Sequence, residues 1–253
     1  MDLGKIGIWT FAFDRQPMAA VREAVAELEE LGFGAIWFGE GAGREALTHA
    51  ALLLAATRRI VIANGIARII HRDAWAMAAA HRALTEAYPD RCVLGLGGST
   101  RTGDPAKPAA TMRAYLDAMD EAAYSPPRPS APLVRVLGAL HPAMLRLAAS
   151  RTQGSHTYLV PVEHTTYARS QLGPQPILAP EQAVALTSDA AEARRLGRQH
   201  MEFYLRLPGY NNNLRRFGFG DDDLAGGGSD RLVDAIVAWG TLEDVQRRVQ
   251  AHL

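Results

Sequence analysis

Glu40 follows the apolar run Ala35-Ile36-Trp37-Phe38 and the single residue Gly39. A carboxyl group at the end of a buried strand can act as a general acid or base if it is partly desolvated. The other reading is a surface carboxylate or a partner for a helix N-terminus. Similar strand-like runs end on Trp9 and Thr10, on Asn64, Gly65 and Ile66, on Gly97, Gly98 and Ser99, and on Gly138 followed by Ala139 and Leu140. Glycine has no Cβ, so a flat ligand could approach the main chain closely at Gly97-Gly98 and Gly138. Exposed N–H groups there could bind its carbonyl edge. Tight turns are the plainer use of the same residues.

Other reactive side chains are less telling. The eight His residues contain no H-E-x-x-H pair, and His141, His156 and His164 are not grouped with carboxylates. No metal site is expected. His49 lies inside a helical pattern and reads as a core or interface residue. Arg68 and Arg72 could hold a phosphate or polycarboxylate tail, or lie on a solvated face. Ser99 has no G-x-S-x-G setting, which argues against a hydrolase triad. Asp221-Asp222-Asp223 lacks the calcium-loop pattern and reads as a solvated turn.

The elements that must position these residues alternate. Strand patterns at residues 5–10, 35–38, 59–66, 91–98, 133–138 and 155–162 are each followed by a helical pattern. Residues 177–178 or 183–186 supply a seventh strand. Helices are expected at 18–31, 45–57, 73–88, 109–123, 142–150, 165–172, 189–206, 229–239 and 241–253. Strands separated by single helices pair in parallel with right-handed crossovers. Seven such units favour a (β/α)8 barrel over an open doubly wound sheet, whose first strand would lead into a Gly-rich phosphate loop. No apolar strand follows the last helix, so the eighth strand is expected to be missing or truncated. The segment at about 207–229 reads as an irregular excursion. One barrel domain is expected over 1–253.

Composition sets the outer limits. The chain has 253 residues, 48% apolar, with 27 basic and 27 acidic side chains and one Cys. Zero net charge argues against nucleic acid or a polybasic membrane contact. A lone Cys92 forms no internal disulfide framework. No run is long and apolar enough for a membrane span, and residues 1–10 lead straight into a strand, so no signal peptide and a cytoplasmic home are expected. Among the basic residues only Lys5 and Lys107 are lysine, a composition typical of GC-rich coding sequence.

Several stretches together resemble the luciferase-like monooxygenase superfamily. They are Gly7-Ile8-Trp9-Thr10, Leu31-Gly32-Phe33-Gly34-Ala35-Ile36-Trp37, Glu45-Ala46-Leu47-Thr48-His49-Ala50-Ala51, Ala55-Ala56-Thr57-Arg58-Arg59-Ile60-Val61 and Arg91-Cys92-Val93-Leu94-Gly95-Leu96-Gly97. Two more, Tyr158-Leu159-Val160-Pro161-Val162-Glu163-His164-Thr165 and Ser229-Asp230-Arg231-Leu232-Val233-Asp234-Ala235, look like a subgroup described as probable F420-dependent oxidoreductases. The resemblance implies a barrel that binds coenzyme F420, or FMN instead, at the carboxyl ends of its strands. It implies a non-prolyl cis peptide near Asn64-Gly65-Ile66, facing the ring. Trp9, Gly97-Gly98-Ser99 and Gly138-Ala139-Leu140 would line the ring and its chain, with Glu40 near the reactive edge. The expected activity is hydride transfer to or from a small organic substrate. The alternatives are a non-catalytic flavin-binding or degenerate barrel, and an unrelated barrel acting on a phosphorylated sugar. Apolar strand edges left by a missing eighth strand need cover, so a homodimer is expected.

Overall fold

The computed structural model describes residues 1–98 and 107–253. Contacts group the chain into two compact units, Met1–Gly138 with Leu147–Ser155, and Ala139–Arg146 with His156–Leu253. The first contains β1 (Ile8–Trp9), α1 (Met18–Glu30), β2 (Ala35–Phe38), α2 (Ala46–Ala56), β3 (Val61–Asn64), β4 (Ala67–Arg68), α3 (Ala74–Ala87), β5 (Cys92–Gly97), α4 (Pro108–Glu121) and β6 (Val134–Gly138). The sequence ranges of both units meet within α5 (Pro142–Arg151) and β7 (Gly154–Thr157). The second continues through α6 (Val162–Leu172), β8 (Ile177–Pro180), β9 (Ala183–Ala185), α7 (Ala190–Met201), α8 (Pro208–Arg216), α9 (Asp221–Leu224), α10 (Asp230–Ile236), β10 (Val237–Trp239) and α11 (Leu242–Gln250).

In the first unit the strands pair in the order β1-β2-β3-β5-β6, with β4 beside β5. Every pair is parallel, with Ile8 opposite Ile36, Phe38 opposite Asn64, Ala63 opposite Val93 and Leu96 opposite Leu137. Parallel register puts Trp9, Phe38, Asn64, Gly97 and Gly138 at the same end of the sheet. The strands are apolar on both faces, as a sheet covered by crossover helices requires. Ile36, Ile62, Leu94, Leu96 and Leu137 are fully buried with Leu53, Leu54, Met77 and Leu116 of the helices.

Local sequence sets several boundaries. Val21 and Val25 bury one face of α1, which stops at Leu31 before Gly32, a glycine at φ +87°. Asp73 caps α3 by accepting the Ala76 N–H at 2.9 Å. Glu45 caps α2 through the Leu47 and Thr48 N–H groups. At the far end of α1, the Glu29 carboxylate accepts N–H bonds from Arg58, Arg59 and Ile60, fastening the entry to β3.

In the second unit β8 lies beside β7, joined where the Glu181 N–H meets the Thr157 carbonyl at 2.8 Å. β9 and β10 form a separate parallel pair with Val237 opposite Ala183. Helices α7 and α10 meet at Gly197, where a Cβ would fall 2.5 Å from Val233.

The expected parallel α/β order is present. Counting β3 and β4 as one interrupted strand, the main sheet fills seven strand positions, and an eighth is not found among the described residues. Four local expectations need correction. Residues 59–66 are not one strand, because the chain breaks at Gly65-Ile66 between β3 and β4. Residues 229–239 are not one helix, since Val237–Trp239 leaves α10 to pair with β9. The two candidates for a seventh strand both exist, in different sheets. The segment at 207–229 is largely helical, holding α8 and α9.

Candidate functional site

The break between β3 and β4 is a cis peptide bond joining Gly65 to Ile66, at the place the resemblance implied. Three hydrogen bonds fasten it. The Gly65 N–H donates to the Phe38 carbonyl at 2.7 Å, the Glu40 N–H donates to the Ile66 carbonyl at 3.1 Å, and the Trp9 indole N–H donates to the Gly65 carbonyl at 3.2 Å. The bulge is therefore built from the carboxyl ends of β1, β2 and β3 together.

Glycines around it make room for the protein's own atoms. A Cβ at Gly95 would lie 1.8 Å from the Asn64 carbonyl oxygen, and one at Gly97 would lie 2.8 Å from the Ile66 side chain. One at Gly138 would sit 3.3 Å from Ile66, and one at Gly39 would strike the Phe11 ring at 2.8 Å. This corrects the expectation of bare main chain at Gly97 and Gly138: Ile66 covers both. Gly98, at φ +119°, packs beside Arg68 and is exposed. What faces outward at these strand ends is a partly open apolar surface of Ile66, Trp9 and Phe11. The Trp9 and Phe11 rings meet edge to face at 4.6 Å.

Glu40 is engaged on both oxygens. Its carboxylate pairs with the Arg72 guanidinium and accepts the Arg68 N–H at 2.6 Å and the Ala46 N–H at 3.3 Å. His71 Nδ1 lies 3.4 Å away. Burial alone would raise its pKa; Arg72 and the backbone donors outweigh that and hold the carboxyl below its usual range. These contacts tie the Glu40 carboxylate to Arg72 and to the backbone at Ala46 and Arg68. Arg72 also reaches Glu45 at 2.8 Å, which ties the α2 N-terminus to the bulge and commits the guanidinium to two carboxylates. Among the described residues Arg68 has no carboxylate partner.

Asn64 is 1% exposed, and its amide donates to the Ala46 carbonyl at 3.4 Å. It supports the bulge from below. Ser99 lies outside the described residues. Ala139 and Leu140 belong to the second unit, where the Ala139 N–H meets the His156 carbonyl and the Leu140 carbonyl meets His164 Nε2. His49 is buried against Phe38 and is a core residue. Phe11 was missed; its signal was the aromatic run Trp9 to Phe13 directly after a strand end. Among the described residues no three His, Cys, Asp or Glu side chains group as metal ligands, and no helix is long and apolar enough to cross a membrane. An open cavity of about 470 Å³, lined by Asp2, Gly4, Lys5, Ile6 and residues 31–34, sits before the amino ends of β1 and β2, away from these residues.

Residues 5–252 match the family model for luciferase-like monooxygenases. The chain belongs to that family. No curated protein matches the sequence. Solved structures share the fold at low identity. The coenzyme F420 dependent tetrahydromethanopterin reductase from Methanopyrus kandleri is 13% identical, with a TM-score of 0.76 over 98% of this chain and 89% of that one. An F420-dependent secondary alcohol dehydrogenase is 12% identical, with a TM-score of 0.74 over 98% and 90%. The oxygenating constituent of 3,6-diketocamphane monooxygenase from Pseudomonas putida, in complex with FMN, is 15% identical, with a TM-score of 0.70 over 97% and 87%. These likenesses place the luciferase-like family member among barrels and set aside the open-sheet rival.

Proposed function

We propose that this luciferase-like protein is an oxidoreductase that takes coenzyme F420, or FMN in its place, and moves hydride to or from a small organic substrate. The observation that carries the reading is the partly open apolar surface of Ile66, Trp9 and Phe11 at the carboxyl ends of the strands, in a chain of this family. The residues present fit a planar ring. Ile66 offers an apolar backing that is open on one side, and Trp9 and Phe11 extend it. Arg68, unpaired among the described residues, suits an anionic tail. When bound, either group supplies hydride chemistry, and FMN can also activate oxygen.

The chain's own residues then divide the work. Ile66 and Trp9 back the ring and exclude water, Gly97 and Gly138 leave the room that Ile66 needs, and Gly98 with Arg68 lines the ring's chain. Asn64 and Gly65 hold the bulge in place. Glu40 keeps the bulge in register through its N–H and its carboxylate and takes no proton. We read residues 1–253 as one barrel domain that works as a homodimer.

Titration with F420, followed by its fluorescence, and with FMN in parallel tests the reading. Saturable binding of one of them is expected, and binding of neither overturns it. A second reading, a non-catalytic flavin-binding barrel, is favoured by the full engagement of Glu40. It requires a cofactor that binds but is neither reduced nor oxidised across a panel of small alcohols, aldehydes and ketones.

A further inference from the structure

Directly after β2 the chain reads Gly39-Glu40-Gly41-Ala42-Gly43, with glycine at every second position. All three glycines face one segment, the loop of residues 10–16 that follows β1. A Cβ at Gly39 would strike the Phe11 ring at 2.8 Å, and one at Gly41 would lie 3.6 Å from the same ring. One at Gly43 would fall 2.3 Å from the Asp14 carboxyl carbon. Glu40, between the first two, serves Arg72 and the Arg68 N–H instead. The Phe11 ring therefore sits on main chain that has no side chain to push it away. It stays 36% exposed, edge to face with Trp9.

The loop that carries Phe11 has little of its own to hold it. Ala12–Arg15 is a single 3-10 turn. The Asp14 N–H reaches the Phe11 carbonyl at 3.1 Å, and the Gln16 N–H reaches the Phe13 carbonyl at 3.3 Å. Such turns bond with poorer geometry than an α-helix. Thr10 Oγ1 accepts the Ala12 N–H at 2.8 Å, and the buried Phe13 side chain roots the turn.

The firmer fastening comes from the facing loop. Arg44, next after Gly43, donates one guanidinium nitrogen to the Phe13 carbonyl and the other to the Gln16 carbonyl at 2.6 Å. Its main-chain N–H points to the Asp14 carboxylate at 3.4 Å. A guanidinium is a planar fork with donors on both outer nitrogens, so one side chain grips the turn at two points. Where Arg72 meets carboxylates, Arg44 meets main-chain carbonyls. What it fixes is the course of the loop.

We propose that Arg44 is a positioning residue. It clasps residues 10–16 to residues 39–44 and so holds Phe11 on Gly39 and Gly41, where the ring completes the apolar seat begun by Ile66 and Trp9. With the clasp released, the turn swings and carries Phe11 off its glycine floor. The use of that seat rests on the oxidoreductase reading.

The test compares the full-length wild type with Arg44→Met, which keeps most of the side chain's bulk and loses its donors. Both are labelled with 4-fluorophenylalanine and free of cofactor. Phe11→Leu identifies the Phe11 fluorine resonance among the seven Phe positions. In the wild type that resonance is expected away from its value in the unfolded chain, because the Trp9 ring lies against it. In Arg44→Met it is expected to move toward the unfolded value, while resonances outside the loop stay. A merely structural Arg44 would lower the urea midpoint and leave the Phe11 resonance in place. Affinity for F420 or FMN, whichever the wild type binds, is expected to fall about tenfold in Arg44→Met and in Phe11→Ala. It should fall no further in the double variant, because Arg44 acts through Phe11. Additive losses, unchanged affinity in Phe11→Ala, or an unmoved Phe11 resonance overturns the assignment. If Arg44→Met does not fold, Arg44→Lys takes its place, since one ammonium cannot grip both carbonyls as the fork does. The fluorine measurement needs no cofactor. Binding of neither cofactor sinks the oxidoreductase reading and leaves the clasp to be decided by the Phe11 resonance.

Discussion

At the scale of single residues, what a strand-end glycine or Glu40 touches is supplied by a neighbouring element. Gly95, Gly97 and Gly138 differ in what a methyl group would meet: the Asn64 carbonyl at 1.8 Å, the Ile66 side chain at 2.8 Å, and the same side chain at 3.3 Å. Backbone cannot yield as a side-chain end can. Alanine at Gly95 should therefore cost most, beyond the usual ~1–3 kcal/mol of overpacking, Gly97→Ala should fall within that range, and Gly138→Ala should cost least. Urea unfolding of the three variants checks the order, and Ile66→Val should recover part of the Gly97→Ala loss but none of the Gly95→Ala loss. Glu40→Gln breaks a buried ion pair and leaves Arg72 with Glu45 alone. A loss of about 3 kcal/mol is expected. If Glu40→Gln keeps wild-type stability, the positioning role is lost and the acid–base role returns. The positions of these residues were legible because a strand end is visible in sequence. Their roles were not, because what fills the space above a glycine or takes a carboxylate's lone pairs comes from another element.

At the scale of elements, caps and clamps decide where each strand begins. The Glu29 carboxylate, on α1, receives three N–H groups at the start of β3, at distances from 2.6 to 2.9 Å. Burial would raise its pKa, but those bonds and Arg59 outweigh it and hold it below 4.5. The stability it contributes is present above that value and lost as pH falls through the folded one. Hydrogen bonds to a charged acceptor are worth about 1.5–3 kcal/mol, so Glu29→Ala should lower the unfolding free energy by roughly that amount or more. Hydrogen exchange should show the amides of Val61–Asn64 losing protection first; an unchanged pattern would remove Glu29 from the account. The helix-strand alternation was legible because each crossover helix has its own apolar face, as at Val21 and Val25. β10 was not, because Val237, Ala238 and Trp239 continue the apolar pattern of α10 and become a strand only by finding Ala183–Ala185 far away in sequence.

At the scale of the whole molecule, two properties follow from surface and buried charge. β1 has β2 as its single strand partner among the described residues, and Trp75 on α3 is 59% exposed. The proposed dimer should appear as twice the chain mass in small-angle scattering, and a monodisperse monomer would remove it. The second property is acid lability. Burial holds His49, His156 and His164 near 4 and His81 near 3, against 6.5 for an ordinary His. Unfolding lets each take up a proton, so their contribution is complete above 6.5 and drains away as pH falls toward those values. Glu181 runs the other way: its carboxyl is raised from 4.5 to about 7, so its contribution is complete below 4.5 and lost as pH rises through 7. Between 4.5 and 6.5 these four His groups, with His200 and His252 lowered by burial in the same direction, oppose Glu181. Each group contributes about 1.4 kcal/mol per pH unit where only one state is protonated. The His groups outnumber the Glu, so the net slope favours higher pH through the window. The urea midpoint should therefore fall steeply between pH 6.5 and pH 4.5, the reference values of the two residue types. His81→Gln should shift the acid transition to lower pH if it folds, with His156→Asn as the parallel case. A midpoint that stays flat across that window would mean these imidazoles are protonated and paired in the folded chain.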